Sequence, residues 1–227
     1  MKVYVVCGGY GTRMRTILGD TPKSLCYVDA QRTLLDLQLA WLGQTPVHFC
    51  LGHGYEAIQR KLSTYSFRYS STVEKPRGVI AALVHARPKE DSFGILLGDV
   101  LPQVPLQELL DAGRREISKG KSIMYISDAL DVPGQRGNVS VLGSHIVYSK
   151  NQAFRGQFVD IGFWVLRRDH LTVRHFDEEA FFRDLIQHNL LSTCWVSKRS
   201  WEVGSPYGLR QIQKSFGEVQ IPNEDHN

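Results

Sequence analysis

The sequence is short of cysteine, of long apolar runs and of charge of one sign. Among 227 residues there are only four cysteines, Cys7, Cys26, Cys50 and Cys194, and none forms a C-x-x-C pair. That excludes a disulfide framework and a zinc knuckle, and leaves reduced, mostly buried thiols as the expectation. No apolar stretch approaches the ~18 residues needed to cross a bilayer, so no membrane partner is expected. The first residues run straight into Gly8 and Gly9 instead of a leader's apolar core and cleavage site, which points to a cytoplasmic protein. Lys and Arg number 27 against 23 Asp and Glu, and the two signs are interleaved, as in Arg167-Arg168-Asp169 and Asp177-Glu178-Glu179. A nucleic-acid stripe would be segregated, so no nucleic acid is expected, while a basic cleft for a phosphorylated small molecule fits. The eight histidines are scattered without metal-ligand spacing. There is no internal repeat, no low-complexity segment and no long linker.

What is present describes a globular chain. With 42% hydrophobic residues, disorder is excluded as its main character. A chain of this length buries about 70% of its unfolded surface, enough for a core and a cleft. Residues 3–7 are β-branched and aromatic and stop at glycines, as a buried strand would. Thr33 caps a helical pattern that ends at Gly43. Strands are then expected at 46–51, 67–71 and 93–97, and helices at 55–62, 79–86 and 106–119. This alternation predicts an α/β, doubly wound, mostly parallel Rossmann-like sheet with binding loops at the carboxyl ends of its strands. Strands at 122–126, 138–142, 146–148 and 158–166 give a mixed, partly antiparallel second half. Helices at 178–190 and 206–216 and a polar tail close the chain.

The densest chemical signal is Gly8-Gly9-Tyr10-Gly11-Thr12-Arg13, followed by Pro22-Lys23. Glycines directly after a strand let backbone amides approach phosphate oxygens, and Arg13 and Lys23 bring positive charge to the same place. The dinucleotide fingerprint fails because Met14 stands where its last glycine is required, and the P-loop fails because no Gly-Lys-Ser/Thr follows Gly8.

This turn resembles the signature of the sugar-phosphate nucleotidyltransferases, and residues 7–25 are most similar to the guanylyltransferases of heptose 1-phosphate and mannose 1-phosphate. Further matches follow in the family's order: Glu74-Lys75-Pro76-Arg77-Gly78, Leu96-Leu97-Gly98-Asp99, Asp160-Ile161-Gly162 and Trp201-Glu202-Val203-Gly204-Ser205-Pro206. The resemblance implies a Mg²⁺-dependent transferase, with Mn²⁺ a possible substitute, that joins a nucleoside triphosphate to a sugar 1-phosphate. Arg13 and Lys23 are then catalytic. Gly8, Gly9, Gly11, Thr12, Glu74 and Gly78 bind the nucleotide, Lys150 and Asp160 the acceptor, and Asp99 and Glu202 the metal. Taken alone, Asp99 also reads as a turn cap and Lys150 as a solvated side chain. The length and the lack of a long linker make one domain over 1–227 the expectation, with a nucleotide-binding half at 1–120, an acceptor-binding half at 121–217 and a tail at 218–227. From the short length, the carboxyl-terminal β-helix of some larger relatives is not expected; a homodimer is a possible assembly.

An acceptor phosphate is already ionised, so no protein nucleophile or base is needed, and a pH-insensitive optimum on the basic side is expected. The chain departs from the family at three places. Val79-Ile80-Ala81 replaces the family's Gly-Thr-Ala, Ser149-Lys150-Asn151 replaces its Glu-Lys-Pro, and Glu202 replaces its aspartate. The first leaves the base open. The second weakens the case for a hexose and keeps open a CTP-dependent enzyme for phosphocholine, a phosphonate or a phosphorylated amino acid. A catalytically silent nucleotide-sugar sensor is the alternative from another class.

Overall fold

The computed structural model describes residues 1–75, 77–129, 136–151, 153–171 and 176–217. Pro76 of the Glu74–Gly78 motif and the expected tail at 218–227 lie outside the described residues. In chain order the elements are β1 (Val3–Cys7), α1 (Arg15–Leu18), α2 (Leu34–Leu42), β2 (Val47–Leu51), α3 (Tyr55–Leu62), β3 (Tyr69–Val73), α4 (Val79–Ala86), β4 (Ser92–Leu97), β5 (Val100–Pro102) and α5 (Leu106–Ser118). There follow β6 (Ser122–Asp128), β7 (Val139–Leu142), β8 (His145–Tyr148), β9 (Phe158–Arg167), α6 (Glu178–Gln187), β10 (Leu191–Trp195), β11 (Ser200–Glu202) and α7 (Pro206–Phe216).

The main sheet runs β10-β6-β9-β4-β1-β2-β3, with the β7/β8 hairpin joined to β9. The pairs β1/β2, β2/β3, β1/β4 and β10/β6 are parallel, while β9 runs antiparallel to β4 and β6. The expected α/β class, mostly parallel with a mixed second half, is the observed one.

Alternation along the strands splits the core in two. One face carries Val3, Val5, Phe49, Leu96 and Phe163 against α2, α3 and α5. The other carries Tyr4, Ile95, Met124, Trp164 and Leu166 against α4 and α6. A third cluster, with Met14, Val28, Leu34, Val203, Leu209 and Ile212, fastens α7 and β11 beside the sheet.

Local chemistry sets the helix ends. Thr33 and Asp36 form a reciprocal capping box, with Thr33 N donating to Asp36 Oδ2 at 2.6 Å and Asp36 N donating to Thr33 Oγ1 at 3.3 Å. Ser205 caps α7 by accepting from Gly208 N at 3.0 Å, with Pro206 in the first turn where no N–H is needed.

Several boundaries differ from expectation. The strand placed at 67–71 lies at 69–73, because β2 fixes it by pairing Val47 with Tyr69 and Leu51 with Val73. The helix placed at 178–190 ends at Gln187; Asn189 takes φ 56° and turns the chain into β10, an edge strand that the sequence pattern did not reveal. The short antiparallel pair β5/β11 was also unforeseen.

Candidate active site

The loops that follow β1, β2, β3 and β4 open on one cavity of about 310 Å³, where the carboxyl ends of parallel strands meet. The loops after β1 and β2 are zipped together by Gly52 N donating to Cys7 O and His53 N donating to Gly8 O, each at 3.2 Å. A Cβ on Gly52 would come within 2.7 Å of Gly8 Cα and O, so only glycine permits this approach. Gly11 caps the short turn Thr12–Met14 in the left-handed conformation, φ 61°, and that turn carries Arg13 to the cavity.

Of the residues singled out from sequence, Gly8, Gly9, Arg13, Lys23, Glu74, Gly78, Asp99 and Lys150 line this cavity. Gly11 lines a shallow neighbouring depression with Gly9 and Lys23, and Thr12 is exposed and lines neither. Lys23 Nζ donates to Asp99 Oδ2 at 2.8 Å, which joins the proline-lysine segment to the end of β4. Glu202 stands just outside the lining, yet the β5/β11 pairing and the bond from Val203 N to Asp99 O, 2.9 Å, hold its loop against that of Asp99. The point where a Cβ of Gly204 would sit is 3.0 Å from Glu202 Oε2, 3.3 Å from Asp99 Oδ2 and 3.7 Å from Lys23 Nζ. Two carboxylates and an ammonium therefore surround one spot. The longer Glu202 side chain folds back on its own loop, accepting from Gly204 N at 2.5 Å and from the Ser205 hydroxyl.

Asp160 is not in the lining. Its carboxylate accepts from Gly162 N and from the Trp164 indole, each at 2.9 Å, and lies near Glu178 and Lys150. Burial pushes its pKa up to about 7, with the Glu178 charge adding to the rise. An acid whose folded pKa is raised contributes stability at low pH that is lost as pH climbs through the folded value. The stability difference between wild type and Asp160→Asn should therefore grow in favour of the variant from about pH 4 to about pH 7 and then level off. Urea midpoints of both proteins across that range test this; a difference independent of pH would show that Asp160 is charged throughout.

Sequence reasoning missed Glu178, which lines the cavity together with Lys150. Its carboxylate accepts from Lys150 Nζ at 2.7 Å and from the Tyr148 hydroxyl, with its side chain only 6% exposed. No signal could have found it, because Asp177-Glu178-Glu179 reads as the acidic first turn of a helix, a role it also fills: Asp177 Oδ1 accepts from Ala180 N at 2.9 Å. Cys7 and Cys50, at the cavity floor, are each pushed up to about 12 by burial, so neither is a thiolate nucleophile. All four cysteines are free.

No protein-family model matches the chain. Sequence relatives do: the mannose-1-phosphate guanyltransferase of Emericella nidulans is 25% identical over 99% of this chain, and that of Saccharomyces cerevisiae 25% identical over 91%. The chain is thus similar along nearly its whole length to guanylyltransferases of a sugar 1-phosphate. It spans 69% of the length of the first relative, 62% of the second and 40% of the Debaryomyces hansenii one. The fold is shared with solved structures of the same size. HddC from Yersinia pseudotuberculosis superposes with a TM-score of 0.77 at 16% identity, covering 95% of this chain and 99% of that one; HddC has also been solved with GMP-PN. A putative glucose-1-phosphate thymidylyltransferase from Bacillus anthracis gives a TM-score of 0.79 at 14% identity, covering 97% of each chain. Among the described residues no helix is long and apolar enough to cross a membrane.

Proposed function

We propose that this protein transfers GMP from GTP to a mannose or heptose 1-phosphate, forming a GDP-sugar and releasing pyrophosphate. The observation that carries this reading is the convergence of Arg13, Lys23, Asp99, Glu74 and Lys150 on one cavity beside the glycine turn. The names of the relatives support the base and the acceptor. The portion 1–120 would hold the nucleotide and 121–217 the acceptor.

In this reading the amides after β1, at Gly8 and Gly9 and with Gly11 and Thr12 beside them, hold the triphosphate. Lys150 holds the acceptor phosphate, one oxygen of which attacks the α-phosphorus in line. A new P–O bond forms, the bond to the β-phosphate oxygen breaks, and pyrophosphate leaves with that electron pair. Arg13 and Lys23 stabilise the charge that accumulates on the leaving group. No side chain has to take a proton.

Among the described residues no three His, Cys, Asp or Glu side chains cluster as a self-sufficient metal site. Mg²⁺ asks for less: one or two carboxylates, with substrate phosphates and waters completing an oxygen shell. The carboxylates of Asp99 and Glu202, which both approach Gly204, are donors of the right kind for it. Bound there, the ion would neutralise the two anionic substrates as they approach.

Glu74 supports guanine. Its side chain lines the cavity at the end of β3, where His85 Nδ1, 3.6 Å from Oε2, is too far for a hydrogen bond. A carboxylate accepts only, and guanine is the base that offers two adjacent donors, N1–H and the exocyclic amino group. Glu74→Gln, which puts a donor in that position, should lower kcat/KM for GTP relative to ATP by about 10- to 100-fold, the usual range for a hydrogen bond to a charged group. Competition assays with both nucleotides measure the ratio, and an unchanged ratio assigns base selection elsewhere.

The reading as a whole is tested by pyrophosphate release with Mg²⁺ across GTP, ATP, CTP, UTP and dTTP against mannose, heptose and glucose 1-phosphates and phosphocholine, with product masses confirmed. Turnover with GTP and a sugar phosphate is expected. Turnover with CTP and phosphocholine alone, or silence from folded protein, overturns it.

A further inference from the structure

We infer that Glu178, carried to the cavity by the first turn of α6, is the group that recognises an acceptor hydroxyl. It would supply the carboxylate that the family's Glu-Lys-Pro carries and that Ser149-Lys150-Asn151 lacks. This rests on the reading of the acceptor as a sugar 1-phosphate.

At the position before Lys150 stands Ser149, and its hydroxyl turns away to Glu179 Oε1 at 3.1 Å, while Lys150 N donates to Glu179 Oε2 at 3.0 Å. Ser149 does not line the cavity. From the second half of the chain, the lining residues among those described are Lys150 and Glu178. They form an ion pair of 2.7 Å in which the lysine is half exposed and the glutamate almost fully buried. The glutamate is thus the fixed member, held also by the Tyr148 hydroxyl, and the lysine the movable one. Tyr148 is itself buried and its acidity suppressed by burial and by Glu178, so it stays a donor.

When Lys150 swings to an acceptor phosphate, Glu178 loses the ammonium and keeps only the tyrosine. A buried carboxylate in that state is costly until another donor arrives. A carboxylate has no donor of its own and repels the phosphate, so it faces the part of the acceptor that carries O–H groups. A sugar 1-phosphate brings both kinds of group at once, an anion for Lys150 and hydroxyls for Glu178. The carboxylate missing from the sequence motif is therefore present in space, delivered from 28 residues downstream of Lys150 on another element.

The test uses wild type, Glu178→Gln and Glu178→Ala with a panel of monodeoxy sugar 1-phosphates. Wild-type turnover of the parent sugar phosphate comes first, and its absence rejects the functional reading and not the role of Glu178 within it. Given turnover, Glu178→Ala should raise the acceptor KM by about 10- to 100-fold while the KM for GTP stays within about twofold; Glu178→Gln, which keeps the packing and one acceptor oxygen, should fall between. One deoxy acceptor should lose a similar factor with wild type and lose nothing further with Glu178→Ala, because both changes remove the same bond. Equal losses on every acceptor, or a loss shared between acceptor and GTP, would show a structural role and overturn the inference. An unchanged acceptor KM in folded Glu178→Ala would overturn it as well.

Discussion

Lys23→Ala should lower kcat for pyrophosphate release by about 10²- to 10³-fold, the usual consequence of removing one preorganised donor from a developing charge. Lys23 is delivered by the turn after Pro22, is only partly exposed, and already points its ammonium at Asp99 Oδ2, 2.8 Å away. No rearrangement of the backbone is needed to bring it to a phosphate oxygen, and the free energy of placing it has been met in folding. The variant should remain folded, because the sheet and its two apolar faces do not depend on this side chain. Single-turnover and steady-state rates at saturating substrates, with circular dichroism as the control, measure the effect. Unchanged turnover would mean that the ammonium meets no charge in the transition state. Lys23→Arg should recover part of the rate, since a guanidinium supplies the charge with a different reach.

Gly208→Ala is expected to destabilise the protein by about 1–3 kcal/mol, as overpacking does, and to lower turnover at the same time. Gly208 lies in the first turn of α7, where its N–H serves the Ser205 cap. A Cβ there would overlap both the carboxylate and the main-chain carbonyl of Glu202. The extra methylene of Glu202, relative to the family's aspartate, is accommodated by the space this glycine leaves. A methyl group would push the Glu202 carboxylate from the point it shares with Asp99, so the two losses should come together. Adding Glu202→Asp shortens the side chain and relieves that part of the overlap but not the carbonyl contact, so the double variant should regain some stability without reaching wild type. Urea midpoints and kcat for the three proteins check this. A Gly208→Ala protein as stable and active as wild type would mean that α7 shifts freely, against the packing of Leu209 and Ile212 in the third apolar cluster.

Local signals carried most of the fold. Apolar runs bounded by glycine marked β1, β2 and β4, and the Thr33–Asp36 box marked the start of α2, because a strand buried on both faces and a capped helix leave their pattern within a few residues. Strand β10 left none: its side chains are half polar, and it becomes a strand only because β6 offers it a parallel edge. The β5/β11 pair is invisible for the same reason, being three residues on each side joined across nearly a hundred positions.

The sequence by itself determined the class of the fold, the glycine turn with its arginine and lysine, and the aspartate at the end of β4. These are contiguous motifs whose chemistry is set by neighbours along the chain. Only the tertiary structure decided that Glu202 faces Asp99, that Asp160 accepts from the Trp164 indole, and that Glu178 lines the cavity beside Lys150. Each of those depends on two elements far apart in sequence brought to one place by burial of apolar surface. The direction a side chain takes there is fixed by packing, and packing is not written in any single segment.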